Sequence, residues 1–146
     1  MTIKDFILKA KGFDVHEAIN NSVRNNEQQL LSMNRDEQLF ERGIDSNNRE
    51  LPQYRPATIV AKMAKNQRFD HTTLRDTGEF HSNFKIITRP TEIEFTANST
   101  PRDGRDLTIH LQARYGRDIF GLTEENKEKL RDMVRNEIIE DIRQWV

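Results

Sequence analysis

Cysteine is absent from the 146-residue chain, which excludes disulfides and thiolate metal sites and makes a reducing compartment the expectation. Apolar residues are scarce, at 34%, while charged residues reach 32%. One domain of this length can bury a core, but a thin one, so part of its burial is expected to come from neighbours. Neither charge dominates: 23 Lys and Arg stand against 24 Asp and Glu, a net charge of −1 that argues against a general nucleic-acid coat. Long hydrophobic runs are missing too. Nothing approaches the roughly 20 apolar residues of a membrane span. The first apolar run, Ile3 to Leu8, is interrupted by Asp5, so no signal peptide is expected and the chain reads as soluble. The six glycines are scattered, which leaves no Gly-rich phosphate loop, and no Gly-x-Ser-x-Gly elbow, internal repeat or low-complexity run occurs.

What is present is a set of amphipathic patterns. Residues 3–8 fit a short strand or one helical turn equally, and Gly12 separates them from the next pattern. From Asp14, a natural N-cap, Val15, Ala18, Ile19 and Val23 recur at helical spacing. Leu30 and Leu31 extend the pattern less regularly, Leu39 and Phe40 close this helix or a second one, and Gly43 is the stop. A short helix is predicted over 57–65, just after Pro56, with Lys62 and Lys65 near its C-terminus, where cations suit the dipole. Residues 80–88 predict a strand with Phe80, Ser82, Phe84 and Ile86 on one side. After a turn at Arg89-Pro90, residues 91–97 predict a second strand that turns Ile93, Phe95 and Ala97 one way and Glu92, Glu94 and Thr96 to water. Leu107, His110, Leu111 and Tyr115 predict a helix over 105–115 ended by Gly116, although Leu107, Ile109 and Leu111 also alternate as a strand would. Ile119-Phe120-Gly121-Leu122 is an apolar insert for a core or a partner. The last helix starts at a Thr123 cap, with Glu124 and Glu125 in its first turn. Its stripe is Leu130, Met133, Val134, Ile138, Ile142 and Val146, broadened by Ile139 and Trp145.

Between these elements, residues 40–84 form a long polar, turn-rich stretch through Asp45-Ser46-Asn47-Asn48, Pro52 and Pro56. Compact domains rarely carry such a length unless it binds something. The histidines His16, His71, His81 and His110 form no HxH or HxxxH pair. His71 with Asp70 and Asp76 is the set on which metal-dependent hydrolysis would draw, but a metal needs convergent ligands and a solvated loop explains the three residues as well. Glu79 beside His81 is too common a pairing to indicate acid–base chemistry. No catalytic, cofactor or metal site is expected. Arg49, Arg55, Lys62, Lys65, Arg68 and Arg75 concentrate in residues 49–75 with few acids between them, a pattern suited to facing DNA or to gripping protein.

Four ordered segments carry a resemblance. Leu39-Phe40-Glu41-Arg42-Gly43-Ile44-Asp45-Ser46-Asn47 is similar to a helix followed by a Gly-Ile-Asp-x-Asn turn. Leu51-Pro52-Gln53-Tyr54-Arg55-Pro56-Ala57-Thr58-Ile59 is similar to a Leu-x-x-Tyr-Ser-Pro-x-Thr element followed by lysines. Thr73-Leu74-Arg75-Asp76-Thr77-Gly78-Glu79-Phe80 is similar to a Leu-x-Asp-Thr-Gly turn into a strand. Tyr115-Gly116-Arg117-Asp118-Ile119-Phe120-Gly121-Leu122-Thr123 is similar to a segment found in relatives from Bacteroides-type phages and prophages. In this order, over residues 15–145, the chain resembles the tailed-phage and prophage virion morphogenesis proteins, which are small neck, head-tail connector or tail-completion proteins. Arg55 stands where Ser is usual in that family, which puts a local turn cap in doubt.

The expected fold is a single α+β domain. A small antiparallel β-sheet over 80–88 and 91–97 packs against an N-terminal helix (14–40) and a C-terminal helix (123–145), with a long extended loop or arm over 44–78. The resemblance implies a structural virion protein rather than an enzyme, with no cofactor. It would form a homo-oligomeric ring at the head–tail junction by head-to-tail contacts. Portal, neck and tail proteins would be its partners, with incidental contact to packaged DNA and no membrane, and the particle would be assembled in the host bacterial cytoplasm. A stiff arm loses little entropy on ordering. Tyr54, Pro56, Ile59 and Phe69 are its candidate anchors, and Ile119 and Phe120 are further candidates. An unpaired sheet edge is a second route to assembly. Asp76-Thr77-Gly78 is expected as a tight turn, with Asp76 bonding backbone amides and Gly78 at positive φ, launching the strand at Phe80. The alternatives are a DNA-contacting protein using residues 49–75 and a metal-dependent hydrolase using His71, Asp70 and Asp76.

Overall fold

The computed structural model describes residues 2–145; Met1 and Val146, the latter expected to end the C-terminal stripe, lie outside the described residues. The N-terminal run is helical: α1 (Ile3–Lys11) starts where Thr2 N–H donates to the Asp5 carboxylate at 2.9 Å and Asp5 N–H donates to Thr2 Oγ1 at 3.1 Å. α2 (Val15–Asn25) begins as expected, with Glu17 N–H donating to the Asp14 side chain at 3.1 Å. The helical stretch expected over 14–40, as one helix or two, is three segments. Asn26, at φ −106°, interrupts it, α3 (Glu27–Ser32) follows, and Met33–Arg42 is wound as a π-helix. Gly43 ends that helix at φ 62°, and Ile44 N–H reaches back to Gln38 C=O at 2.9 Å. A Cβ at Gly43 would also sit 2.6 Å from His71 Cδ2, so the position requires glycine both for its backbone and for its neighbour.

α4 (Pro56–Ala64) carries Pro56 in its first turn, where the missing N–H costs nothing. The strand expected from Phe80 is a correction. Residues Glu79–Ser82 form α5, a single helical turn after Gly78 at φ 92°, and β1 (Phe84–Thr88) starts only at Phe84. The helical turn places Phe80 and Phe84 together in the core, their rings edge-to-face at 5.1 Å, whereas a strand through both would have left His81 on the wet face. β1 pairs antiparallel with β2 (Ile93–Ala97), Phe84 opposite Ala97 and Thr88 opposite Ile93. A two-residue ladder joins β3 (Pro101–Arg102) to β4 (Arg105–Asp106). Asp106 then caps α6 (Leu107–Tyr115), accepting from Thr108 N–H at 3.0 Å, so the helical pattern prevails over the alternating one. A 3₁₀ turn (Arg117–Ile119) leads to α7 (Glu124–Trp145), where Thr123 Oγ1 accepts from Asn126 N–H at 3.3 Å.

The result is the expected α+β arrangement, a small antiparallel sheet covered by N- and C-terminal helices. Leu31, Leu39, Leu51, Leu74, Phe80, Phe84 and Ile119 form one buried cluster, and Val23, Leu30, Met33 and Leu122 a second. Ile86 and Phe95 of the hairpin pack against both. The α7 stripe is half-buried, and Trp145 tethers α1 by donating from Nε1 to Lys9 C=O at 2.6 Å. Among the described residues no helix is long and apolar enough to cross a membrane.

Candidate functional site

The first and last of the four sequence segments that carry the resemblance meet in space. Asn34 and Gln38, four residues apart on the π-helix, turn one face toward residues 119–123. Asn34 donates from Nδ2 to Ile119 C=O and accepts Gly121 N–H, each at 2.9 Å. Gln38 donates to Gly121 C=O at 2.9 Å, and its Oε1 accepts Thr123 N–H at 3.0 Å and Asn126 Nδ2 at 2.9 Å. All three carboxamide residues are fully buried. The Gly43-Ile44-Asp45 turn is tied to the same segment. Ser46 N–H donates to Asp118 C=O at 2.7 Å, Asn47 Nδ2 donates to the Asp118 carboxylate at 2.7 Å, and Asp45 Oδ1 accepts Asn47 and Arg49 N–H. Nothing in the sequence marks Asn34, Gln38 or Asn126, because an amide on a helix reads as solvent-facing.

The second and third segments also meet, which ties residues 52–54 to residues 72–74 of the same chain. The Tyr54 hydroxyl accepts Thr73 N–H at 2.9 Å and Leu74 N–H at 3.3 Å, and Thr72 Oγ1 donates to Pro52 C=O at 2.5 Å. Tyr54 thus anchors its own chain. Thr72, Thr73 and Leu74 are buried, and His81, buried beneath them, donates from Nε2 to Thr73 C=O at 2.9 Å. Burial pushes the His81 imidazole down to about 4, although the Thr73 bond works against that shift, so the ring is neutral at pH 7. The Asp76 carboxylate holds Arg102, Lys65 and Gln67 side chains rather than the backbone amides expected of it. The Arg102 guanidinium, foremost among these donors, keeps it well below the usual carboxylate range.

α4 buries a lysine and exposes two large apolar side chains. Its Lys62 is buried at 7% exposure, with Nζ donating to Arg75 C=O at 2.7 Å and lying 4.9 Å from the centre of the Tyr54 ring. Val60 and Met63 of the same helix are 66% and 56% exposed, and Phe69 beyond its end is 42% exposed. Of the expected contact residues, Pro56 and Phe69 are exposed and Ile59 is half-buried. Ile119 is wholly buried in the protein's own core and so is corrected as a partner-facing residue. Phe120 packs against Phe84, ring centres 5.3 Å apart.

The basic cluster is largely dismantled by the fold. Lys62 is inside, Lys65 pairs with Asp76 at 3.1 Å, and Arg68 pairs with Glu41 at 3.0 Å and Asp70 at 3.1 Å. The Arg75 guanidinium lies over the Phe40 ring at 5.1 Å, and Arg49 and Arg55 are exposed with no ion pair among the described residues. His71, Asp70 and Asp76 do not converge. His71 Nε2 donates to Phe40 C=O at 2.6 Å, its Nδ1 lies 3.2 Å from Asp70, and Asp76 is engaged with Arg102. Among the described residues no group of three or more His, Cys, Asp or Glu is placed to hold a metal. No family model matches the chain, and no curated protein or solved structure matches it at a significant level.

Proposed function

We propose that the chain is a structural subunit of a tailed-phage virion, assembling with copies of itself into a ring at the head–tail junction. The observation that carries the assembly is α4, which buries Lys62 and turns Val60 and Met63 to solvent. A surface helix normally does the reverse. Covering these two side chains with a neighbour removes apolar area from water, worth about 1.5–3 kcal/mol for each side chain fully buried. Head-to-tail contacts between copies close into a ring where the rotation that relates them closes. The phage setting rests on the resemblance of the four sequence segments, which here pair two by two to hold the 43–78 loops in place. DNA contact through residues 49–75 is less well supported, because Lys62, Lys65 and Arg68 are already engaged within the chain.

The test is native mass spectrometry and light scattering of the purified chain over a concentration series, alone and with a phage portal ring. Concentration-dependent oligomers, or copies captured on the portal, are expected, and both should be lost in Val60→Asp/Met63→Asp. A chain that stays monomeric and is captured by no portal would remove the reading.

A further inference from the structure

A groove of about 600 Å³ lies between β2 and the segment leading into α7, away from α4. Residues of β2 and of 120–122 both line it. On one side, Asn98 N–H donates to Asn83 C=O and Arg89 N–H donates to Glu92 C=O, both at 2.8 Å, which sets the alternation of the β1–β2 ladder. Glu94 and Thr96 therefore bond to β1, while Ile93 and Phe95 turn their N–H and C=O groups outward, toward the groove. On the other side, Gly121 gives its N–H to Asn34 and its C=O to Gln38. In a planar trans peptide the C=O and N–H point in opposite directions, so Phe120 C=O and Leu122 N–H point away from those carboxamides. Among the described residues, none of these outward groups has a hydrogen-bond partner.

The side chains complete the description. Ile93, Phe95, Phe120 and Leu130 give the groove the larger, apolar part of its lining. Arg117, Lys127 and Arg131 stand on its rim against a single acid, Glu94, which already pairs with Arg89. Arg117 has no ion pair among the described residues. The pairs of Lys127 and Arg131 lie on the exposed surface of α7 itself, where such pairs hold weakly.

We propose that this groove takes one extended segment of a different protein, which adds as a strand to β2 and carries apolar residues in alternation with acidic ones. Unpaired main chain on two sides selects an extended backbone. The apolar lining selects alternate apolar side chains, and the cationic rim selects carboxylates between them. The segment of a second copy that alternates in this way, Glu92-Ile93-Glu94-Phe95 at the start of β2, already has one edge paired with β1, so it cannot pair on both sides of the groove as an inserted strand would. The groove does not involve Val60 or Met63, so strand addition and ring formation succeed or fail separately.

The test uses two blocked seven-residue synthetic peptides, one alternating valine with glutamate and one alternating valine with lysine. Amide exchange is read by NMR on the full chain. In the dilute free chain the Ile93, Phe95 and Leu122 amides should exchange fast. The glutamate peptide should slow all three, and the lysine peptide should bind at least about tenfold more weakly. Ile93→Pro deletes an outward N–H without touching the β1 ladder and should weaken glutamate-peptide binding about tenfold. Arg117→Glu, on an exposed side chain, should do the same and serves if the proline variant does not fold. Slow exchange at Ile93 and Phe95 in the dilute free chain would overturn the proposal. So would equal binding of the two peptides, no binding of either, or protection that appears only as the chain itself is concentrated, which would place a second copy in the groove.

Discussion

The clamp that Asn34, Gln38 and Asn126 make on residues 119–123 and the helix α4 distribute polarity in opposite ways. The clamp takes carboxamides out of water and gives nearly every carboxamide group a partner inside the chain. α4 also buries a polar group, Lys62, and satisfies it on Arg75 C=O, but its apolar side faces outward, where the chain offers no cover. The clamp accounts for why these loops hold one conformation. The helix accounts for why a fold with a thin core has a use for neighbours.

The comparison is broken most severely at Gln38. Gln38→Leu keeps the volume but strands Gly121 C=O, Thr123 N–H and the Asn126 amide, and should cost about 3–5 kcal/mol. Urea unfolding of this variant against the parent measures it, and a loss under about 1 kcal/mol would mean that the clamp is not what orders residues 119–123. The next effect is pH-dependent. His81 takes up a proton near its ordinary 6.5 when unfolded, but only near 4 when folded. The unfolded chain therefore binds more protons across that window, and stability should fall as pH drops from 6.5 to 4, by about 3 kcal/mol in all. His81→Phe should flatten that slope in thermal melts collected across the same range. Tyr54→Phe, which leaves Thr73 and Leu74 N–H without their acceptor, should cost about 1–3 kcal/mol and leave the oligomeric state unchanged. Val60→Asp/Met63→Asp lies at the small end for stability, within about 0.5 kcal/mol, because neither side chain is packed inside the monomer.

Much of the framework is legible in the chain: the caps at Asp14 and Thr123, the stop at Gly43, the helix after Pro56, the hairpin and the last helix. Each is set by local chemistry, a side-chain acceptor at an N-terminus or a backbone that only glycine adopts readily. The misses share a different cause. Phe80 reads as part of a strand because Phe80, Ser82, Phe84 and Ile86 alternate, and only the packed core shows that Phe80 and Phe84 meet across a helical turn. The break at Asn26 and the π-helix depend on how three helical segments fit the hairpin, which no local pattern records. Tyr54 and Ile119 read as partner-facing because an aromatic beside prolines and an apolar insert both suit an interface, yet their partners, Thr73 and Asn34, are distant in sequence. The inverted face of α4 is hidden because Ala, Ile, Val and Met around Lys62 read as a buried stripe with a solvated lysine.

The most direct measurement is a paired one: native mass spectrometry and thermal unfolding of Val60→Asp/Met63→Asp beside Tyr54→Ala. The double variant should keep the melting temperature of the parent and lose its oligomers or its capture by a portal ring, while Tyr54→Ala should lose melting temperature. The opposite pattern, with assembly lost in Tyr54→Ala at unchanged stability and kept in the double variant, would contradict the account, because it would return the contact to the loop and leave the outward face of α4 without a role.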